Sequence, residues 1–144
     1  MDKYDVLKLD NQICFPLYAC AKEVVRRYKP FLDEIDLTYT QYIAMMVLWE
    51  EKSISVKDLG EKLYLDSGTL TPLLKTLEKK GFVKRERSSE DERVLIVTVT
   101  VEGMLLREKA VKVPSKVGSC IGIDPEEAKT LYTILYKVLG SISE

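Results

Sequence analysis

The chain has 144 residues, of which 46% are hydrophobic and 31% are charged, and its formal net charge is −1. This length suits one domain over residues 1–144, and the composition excludes collagen, a disordered tail protein and a small disulfide-bonded scaffold. The chain contains no histidine, which excludes histidine-based acid–base catalysis and most zinc and iron sites. Its three cysteines include no CxxC pair, so we expect neither a bound metal nor a cofactor.

Nothing in the sequence indicates a membrane or export segment. No apolar run approaches the roughly 18 residues that a bilayer-spanning helix needs. The first residues also lack the basic and then apolar order of a signal peptide. We therefore expect a cytoplasmic protein without a membrane partner.

Apolar periodicity predicts four helices in the first part of the chain. The first covers about 11–32, and the second, about 40–49, is apolar on nearly every side, which is typical of a buried helix. The third begins at Ser55, a residue type that caps helices. The fourth is capped by Asp66 and ends at Gly81.

Beyond the fourth helix the hydrophobic period changes to two. Segments 82–87 and 94–101 are rich in β-branched residues and are joined by a polar stretch, which predicts a β-hairpin with a charged tip. A fifth helix follows from about Glu102, interrupted near Pro114, and a last helix closes the chain. The predicted fold is mainly α-helical with a small β-hairpin wing, that is, a winged helix-turn-helix over 34–101.

The nearly neutral chain distributes its charge unevenly. Between Lys75 and Arg87 there are six cations and two acids, whereas residues 30–51 contain five acids and no cation. A local positive patch is typical of a protein that binds the phosphate backbone of DNA. Such charges alone are equally compatible with a solvated surface, and the helix-turn-helix layout is what favours DNA binding.

Small and polar residues occupy the face of the fourth helix opposite its leucines. Hydroxyl groups near the N-terminal end of such a helix can reach base edges and phosphates in the major groove. Pro72, in the helix interior, either allows a close approach to DNA or is a tolerated kink. The predicted DNA-contacting residues on this face are Ser67, Gly68, Thr69, Thr71, Pro72 and Lys75.

Three segments resemble a known family. The wing tip reads Asp-Glu-Arg at 91–93, follows Arg85 and Arg87, and resembles the wing signature of MarR-family transcriptional regulators. Two further segments are similar to the branch of organic-hydroperoxide-sensing repressors and related thiol-based redox regulators: LDNQICF at 9–15 and LDSGTLTPLL at 65–74. The resemblance covers nearly the whole chain.

The resemblance implies a homodimer on double-stranded DNA. Its dimerisation helices would lie in residues 1–33 and 102–144, and the recognition helices, beginning at Asp66, would enter successive major grooves of a pseudo-palindromic operator. On the wing, the resemblance implies that Arg93 reaches into the flanking minor groove while Asp91 holds its side chain. It also implies that Arg85 and Arg87 contact DNA.

Cys14 matches the sensing cysteine of this branch. It lies near the start of a helix, where the helix dipole favours a thiolate. Without the resemblance, a cysteine between two apolar neighbours is more often a small buried hydrophobe. The resemblance implies that Tyr28 and Tyr39 hydrogen-bond the sulfur across the dimer. Helix geometry alone predicts that Tyr18, one turn later, leans back toward Cys14.

The other two cysteines have different expected roles. For the two-cysteine regulators of this branch, the resemblance implies a resolving cysteine, and Cys120 is the candidate that would form an intersubunit disulfide with Cys14. If it is not, a low-molecular-weight thiol would cap the oxidised sulfur, as the resemblance implies for one-cysteine regulators. Cys20 points away from Cys14 and is expected to be packing filler.

The sequence thus predicts a DNA-binding repressor, not an enzyme, that releases its operator when an organic hydroperoxide oxidises Cys14. One alternative is a MarR-type regulator that responds to a phenolic or lipophilic ligand, in which Cys14 is structural. The other is a thiol peroxidase, disfavoured because no Arg or Thr near Cys14 is placed to activate a peroxide. Activation instead of repression stays open.

Overall fold

The computed structural model describes residues 2–143. Within them, two short 3₁₀ turns, Lys3–Leu7 and Leu9–Asn11, precede seven helices and three strands. The helices are α1 (Cys14–Asp33), α2 (Tyr39–Glu51), α3 (Val56–Leu63), α4 (Ser67–Lys79), α5 (Val101–Ala110), α6 (Val113–Gly118) and α7 (Pro125–Ile142). The strands are β1 (Ser53–Ser55), β2 (Val83–Arg87) and β3 (Leu95–Val99). Among the described helices, none is long and apolar enough to cross a bilayer.

Polar caps set the helix boundaries close to where the sequence predicts them. The Ser55 hydroxyl accepts a hydrogen bond from the Asp58 amide at 3.1 Å, and the Asp66 carboxylate accepts one from the Thr69 amide at 2.8 Å. After α4, Gly81 takes a φ of +87°, a conformation that glycine adopts without strain. The predicted mainly helical fold with a wing is confirmed.

The sheet corrects the prediction in two places. It has three strands in the order β1–β3–β2, because the short β1 pairs antiparallel with β3 through Ile54 and Val97. The predicted strand 94–101 extended two residues too far at its C-terminal end and one at its start: β3 is Leu95–Val99, because the Thr100 hydroxyl accepts from the Gly103 amide at 3.1 Å and so caps α5. A strand as short as β1 has no hydrophobic period to detect.

The core lies around α2, as its apolar composition predicts. α2 buries six side chains, and α3, α4 and the sheet close over it. α5 and α6 belong to the same core and contribute Leu106, Ala110, Val113 and Val117. Pro114 lies in the first turn of α6, so the predicted interruption of the fifth helix is confirmed.

α5 lies directly on the base of the wing. The Trp49 indole donates a hydrogen bond to the Gly103 carbonyl at 2.7 Å. A Cβ on Gly103 would stand 2.2 Å from the Phe82 carbonyl oxygen and 2.7 Å from a Val99 methyl carbon. No side chain fits there, so the close approach of α5 to the wing requires glycine.

Two helical surfaces stay uncovered in the protomer. In α7, no residue from Pro125 to Ile142 is buried, and in α1 only Leu32 is. The exposed apolar side chains there include Ile13, Phe15, Leu17, Leu131, Tyr132, Ile134, Tyr136 and Ile142. An apolar surface of this extent is typical of a protein–protein interface.

Candidate DNA-binding surface and thiol site

The outer face of α4 presents the residues predicted to contact DNA. Its inner face buries Leu70, Leu73, Leu74 and Leu77, which fixes the rotation of the helix about its axis. Of the six predicted DNA-contacting residues on this face of α4, Thr71 is half-buried and the others are exposed. Asp66 sits at the N-terminal end as the helix cap, so one carboxylate oxygen is already engaged.

Pro72 does not break α4. A proline inside a helix crowds the carbonyl four residues earlier, which here belongs to Gly68. The helix nevertheless continues to Lys79. The Thr76 hydroxyl donates to the Pro72 carbonyl at 3.1 Å and closes the next turn. The outer face of α4 therefore carries mainly small side chains in its first two turns.

At the wing tip, Asp91 and Arg93 form a fork. The Arg93 guanidinium donates from Nε to Asp91 Oδ1 and from Nη2 to Oδ2, each at 3.0 Å, and the Arg93 amide also donates to Oδ1 at 3.0 Å. These hydrogen bonds lower the pKa of Asp91 below its usual value, so the carboxylate is ionised at neutral pH. The Arg93 side chain is nonetheless 90% exposed, which leaves it held in one orientation and open to a ligand.

Arg85 is engaged within the protomer. Its guanidinium donates to Glu78 Oε1 at 3.0 and 3.2 Å, and its backbone amide donates to Glu78 Oε2 at 2.9 Å. Only 19% of the Arg85 side chain is exposed. The pair joins the end of α4 to β2, so a contact of Arg85 with DNA would require breaking it.

Two further cations of the positive patch are also paired. The Lys80 ammonium donates to the Asp36 carbonyl at 2.5 Å and to Gln41 Oε1 at 3.2 Å, which ties α4 to the start of α2. Lys84 pairs with Glu86 at 2.6 Å. Within residues 2–143, the cations of this stretch without an ion pair are Lys75, Lys79 and Arg87.

Replacing Glu78 with glutamine should lower Tm slightly at pH 7 and less at acid pH. Hydrogen bonds from Arg85 lower the pKa of Glu78 below its ordinary 4.5. The resulting stabilisation is therefore present above pH 4.5 and is lost as the pH falls through the folded-state pKa. Circular-dichroism melts of both proteins from pH 7 to pH 3 measure this. Glu86→Gln is the surface control, and a Tm difference that does not shrink with acidification would contradict the prediction.

Cys14 is the first residue of α1, and its side chain is exposed. Ile13, which precedes it, makes no side-chain cap, so no side chain caps the first amides of α1. Cys20 and Cys120 are also free and exposed, so Cys20 fills no space in the core of the protomer. Among residues 2–143, no group of cysteine and acidic side chains could hold a metal ion.

Tyr28 and Tyr39 lie together but far from the Cys14 of the same chain. Their ring centroids are 4.9 Å apart, and Tyr42 lies 5.7 Å from Tyr28. Desolvation raises the pKa of all three phenols, so their hydroxyls are hydrogen-bond donors at neutral pH. Tyr28 is fourteen residues after Cys14, about 21 Å along a helix. Only the Cys14 of another protomer could meet them.

Tyr18 and Cys120 each have another local partner. The Lys22 ammonium lies 5.5 Å from the Tyr18 ring centroid, and no hydrogen bond joins Tyr18 to Cys14 in the described chain. Cys120 follows α6, and its thiol donates to the Lys116 carbonyl at 3.5 Å. The Lys116 ammonium in turn lies 3.7 Å from the Glu34 carboxylate. Cys120 is thus adjacent to an ion pair that joins α6 to the end of α1.

Sequence reasoning missed Tyr42 and Trp49. The Tyr42 ring lies 6.5 Å from that of Trp49 at a steep angle, which extends the tyrosine cluster toward α5. Both residues lie in the helix predicted to be buried on every side. Their aromatic spacing within α2 was the available signal, but apolar burial alone explains such residues equally well.

Known proteins resemble this chain in sequence over its full length. The model for the family of SarA/Rot transcriptional regulators matches residues 26–109, more than half of the chain. The organic hydroperoxide resistance transcriptional regulator of Bacillus subtilis (strain 168) is 46% identical over 99% of this chain and 97% of its own length.

Solved structures resemble it in fold. AbfR of Staphylococcus epidermidis, in its reduced form bound to DNA, has a TM-score of 0.79 at 36% identity. The match covers 99% of this chain and 100% of AbfR. Disulfide-formed AbfR has a TM-score of 0.60 at 36% identity, covering 96% and 92%. A MarR mutant from E. coli with operator DNA has a TM-score of 0.83 at 22% identity, covering 96% and 99%. The chain therefore belongs to the MarR/SarA family of winged-helix transcriptional regulators, in the branch of the organic hydroperoxide resistance regulators.

Proposed function

We propose that this chain is a homodimeric repressor that binds a pseudo-palindromic operator in the cytoplasm and releases it when an organic hydroperoxide oxidises Cys14. The observation that carries the proposal is the position of Cys14. It is exposed at the N-terminal end of α1, on the uncovered apolar surface, in a protein whose recognition helix and wing face outward. The relatives are transcriptional regulators, and we expect no enzymatic turnover from this chain.

Dimerisation accounts for the uncovered surfaces. α1 and α7 expose apolar side chains that a second copy would bury, and the same contact would bring the two α4 helices to fixed positions. The partner subunit's Tyr28 and Tyr39 could then reach Cys14, which the length of α1 forbids within one protomer. A cleft of about 340 Å³ beside Tyr39 offers room for an incoming side chain.

The chemistry at Cys14 is a two-electron oxidation. The thiolate sulfur attacks the terminal oxygen of the hydroperoxide, the S–O bond forms and the O–O bond breaks. The alkoxide leaves, takes a proton and becomes the alcohol, while the thiolate becomes a sulfenic acid. Phenol donors from the tyrosine cluster favour the thiolate because a hydrogen bond to the charged form stabilises it.

A second thiol then completes the reaction. We propose that the Cys120 thiolate of the partner subunit attacks the sulfenic sulfur, forming a disulfide and releasing water. Cys120 is exposed and follows a six-residue helix, and we expect α6 to shift so that the Cα atoms of the two cysteines come within about 7 Å. A low-molecular-weight thiol would give a mixed disulfide by the same chemistry.

Operator release follows from a change in the spacing of the two recognition helices. In AbfR the disulfide form matches this chain less well than the reduced, DNA-bound form does, with TM-scores of 0.60 and 0.79. Overoxidised AbfR bound to DNA has a TM-score of 0.78, so the difference supports a rearrangement linked to disulfide formation in such proteins. Because the two halves of an operator lie a fixed distance apart, dimers with altered spacing lose one half-site.

Fluorescence anisotropy with a labelled operator duplex tests the proposal. Wild-type protein should bind when reduced, lose binding with cumene hydroperoxide and recover it with dithiothreitol. Cys14→Ser should bind and keep binding in peroxide, and a non-reducing gel should show an intersubunit disulfide that Cys120→Ser removes. Binding that peroxide leaves unchanged would refute thiol sensing and favour a phenolic effector. Continuous consumption of peroxide with a dithiol would indicate a peroxidase.

Tyr39→Phe should slow the oxidation of Cys14 roughly tenfold. The variant keeps the ring but removes a donor, and a hydrogen bond to a charged group contributes about 1.5–3 kcal/mol. Stopped-flow peroxide kinetics on the reduced dimer measure the rate. Tyr42→Phe is the matched control, because its ring is buried within the cluster and is not expected to reach the sulfur. Equal rates for wild type and Tyr39→Phe would contradict the role of Tyr39.

A further inference from the structure

We infer that Trp49 is a positioning residue that couples the tyrosine cluster to the base of the wing and so transmits oxidation to the DNA-binding surface. The inference rests on the proposed function, because it assigns a route between the sensing cysteine and operator release. It goes beyond that function by naming one residue, in contact with neither peroxide nor DNA, on which the response depends.

The first link is a continuous series of aromatic contacts. Tyr39 contacts Tyr28, Tyr28 contacts Tyr42, and Tyr42 contacts Trp49, with ring centroids 4.9, 5.7 and 6.5 Å apart. Tyr42 and Trp49 are 3% and 8% exposed, so each ring is closely packed against the other. A change at the phenols that hold the sulfur therefore reaches the indole by packing alone.

The second link joins Trp49 to the wing. Its indole N–H donates to the Gly103 carbonyl, and Gly103 stands against the Phe82 carbonyl and Val99 with no space for a side chain. The backbone of Trp49 makes a parallel connection, because its carbonyl accepts from the Lys52 ammonium at 2.9 Å. The Lys52 carbonyl accepts from the Val99 amide at 3.0 Å. Both connections end at the root of the wing.

Free space beside the indole permits a second arrangement. A cleft of about 220 Å³ is lined by Tyr42 and Trp49 and by residues of α5 and the start of α6, including Ala110 and Pro114. A tightly packed ring with an adjacent cleft can occupy two discrete positions, which is what a two-state coupling element needs.

Trp49→Phe tests the inference, because it keeps an aromatic ring and removes the bond to Gly103. The reduced variant should bind the operator duplex within about threefold of wild type, and its Cys14 should be trapped by dimedone after peroxide at the wild-type rate. The ratio of oxidised to reduced Kd should fall by about tenfold or more, within the usual range of allosteric couplings. Tyr42→Phe, which keeps its ring contacts, should retain the wild-type ratio.

The outcomes separate failure of the inference from failure of the proposed function. An unchanged ratio in Trp49→Phe, or equal weakening of both Kd values, would overturn the coupling role while leaving thiol sensing intact. A wild-type Cys14 that stays a free thiol after peroxide, with neither a dimedone adduct nor a disulfide, would refute the proposed function itself. Trp49 is the only tryptophan, so wild-type emission reports on its surroundings even if the variant fails to fold. Emission should change with peroxide in wild type and not in Cys14→Ser; constant wild-type emission would overturn the inference.

Discussion

Gly103→Ala should lower the free energy of unfolding by about 3 kcal/mol, the upper part of the range for an overpacked core. The added methyl would stand 2.2 Å from a backbone carbonyl oxygen of Phe82, and a backbone atom cannot swing aside as a side chain can. α5 would have to move away from the wing, which also weakens the bond from Trp49 to the Gly103 carbonyl. Thermal melts should show a Tm lower by roughly 6–12 °C.

Gly118→Ala is the matched control for this substitution. Gly118 also lies in a helix, but an added Cβ there meets nothing within 4 Å, so its Tm should equal or slightly exceed that of wild type. A Gly103→Ala protein with the wild-type Tm would show that α5 does not sit on the wing. Gly103→Ala should also bind the operator less tightly when it is measured below its Tm, because the base of the wing is displaced.

Arg93→Ala should weaken operator binding by about 10- to 100-fold, since a well-placed arginine contact contributes roughly 1–3 kcal/mol. Part of that contribution comes from the orientation that the Arg93 side chain already has before binding. The fork with Asp91 fixes the guanidinium in one orientation, so little side-chain entropy remains to be lost on the DNA. Anisotropy titrations on the specific duplex and on a scrambled one, at the same salt concentration, measure the effect.

Two further variants separate the effect of the Asp91–Arg93 hydrogen bonds on operator affinity from the effect of the Arg93 charge alone. Asp91→Ala keeps the cation but frees its side chain, so it should cost less affinity than Arg93→Ala. Glu92→Gln removes a neighbouring carboxylate without touching the fork, and its affinity should match or slightly exceed that of wild type. If Arg93→Ala binds as tightly as wild type, the wing does not enter the minor groove.

Local signals made much of the DNA-binding surface predictable from sequence. The Asp66 cap, the leucine stripe and Gly81 defined α4 within a residue or two, because capping and helical period act over a few positions. β1 escaped prediction because three residues carry no period and depend on pairing with β3. The wing boundary was misplaced because Thr100 is β-branched and also a helix cap.

Long-range pairings were beyond the sequence. Arg85 and Lys80 were counted among the six cations of the positive patch. In the structure Arg85 pairs with Glu78 and Lys80 with Asp36, and these partners meet only after folding. The link from Trp49 to Gly103 spans fifty-four residues and has no local signature. The resemblance to a family contributed the residues of the thiol site, since Cys14 and Tyr28 lie fourteen residues apart on α1 and meet only between subunits in the proposed dimer.

The short strand β1 has a mechanical consequence. It ends at Ser55, which is also the cap of α3, so a single residue joins the sheet to the first helix of the helix-turn-helix. We therefore expect the wing and the recognition helix to move together, and in the proposed dimer two such units on one DNA would gain affinity by avidity. A regulator built this way need not damage either unit to release DNA. In the proposed dimer, a change in the spacing of the two units would remove the avidity, and reversing that change would restore it.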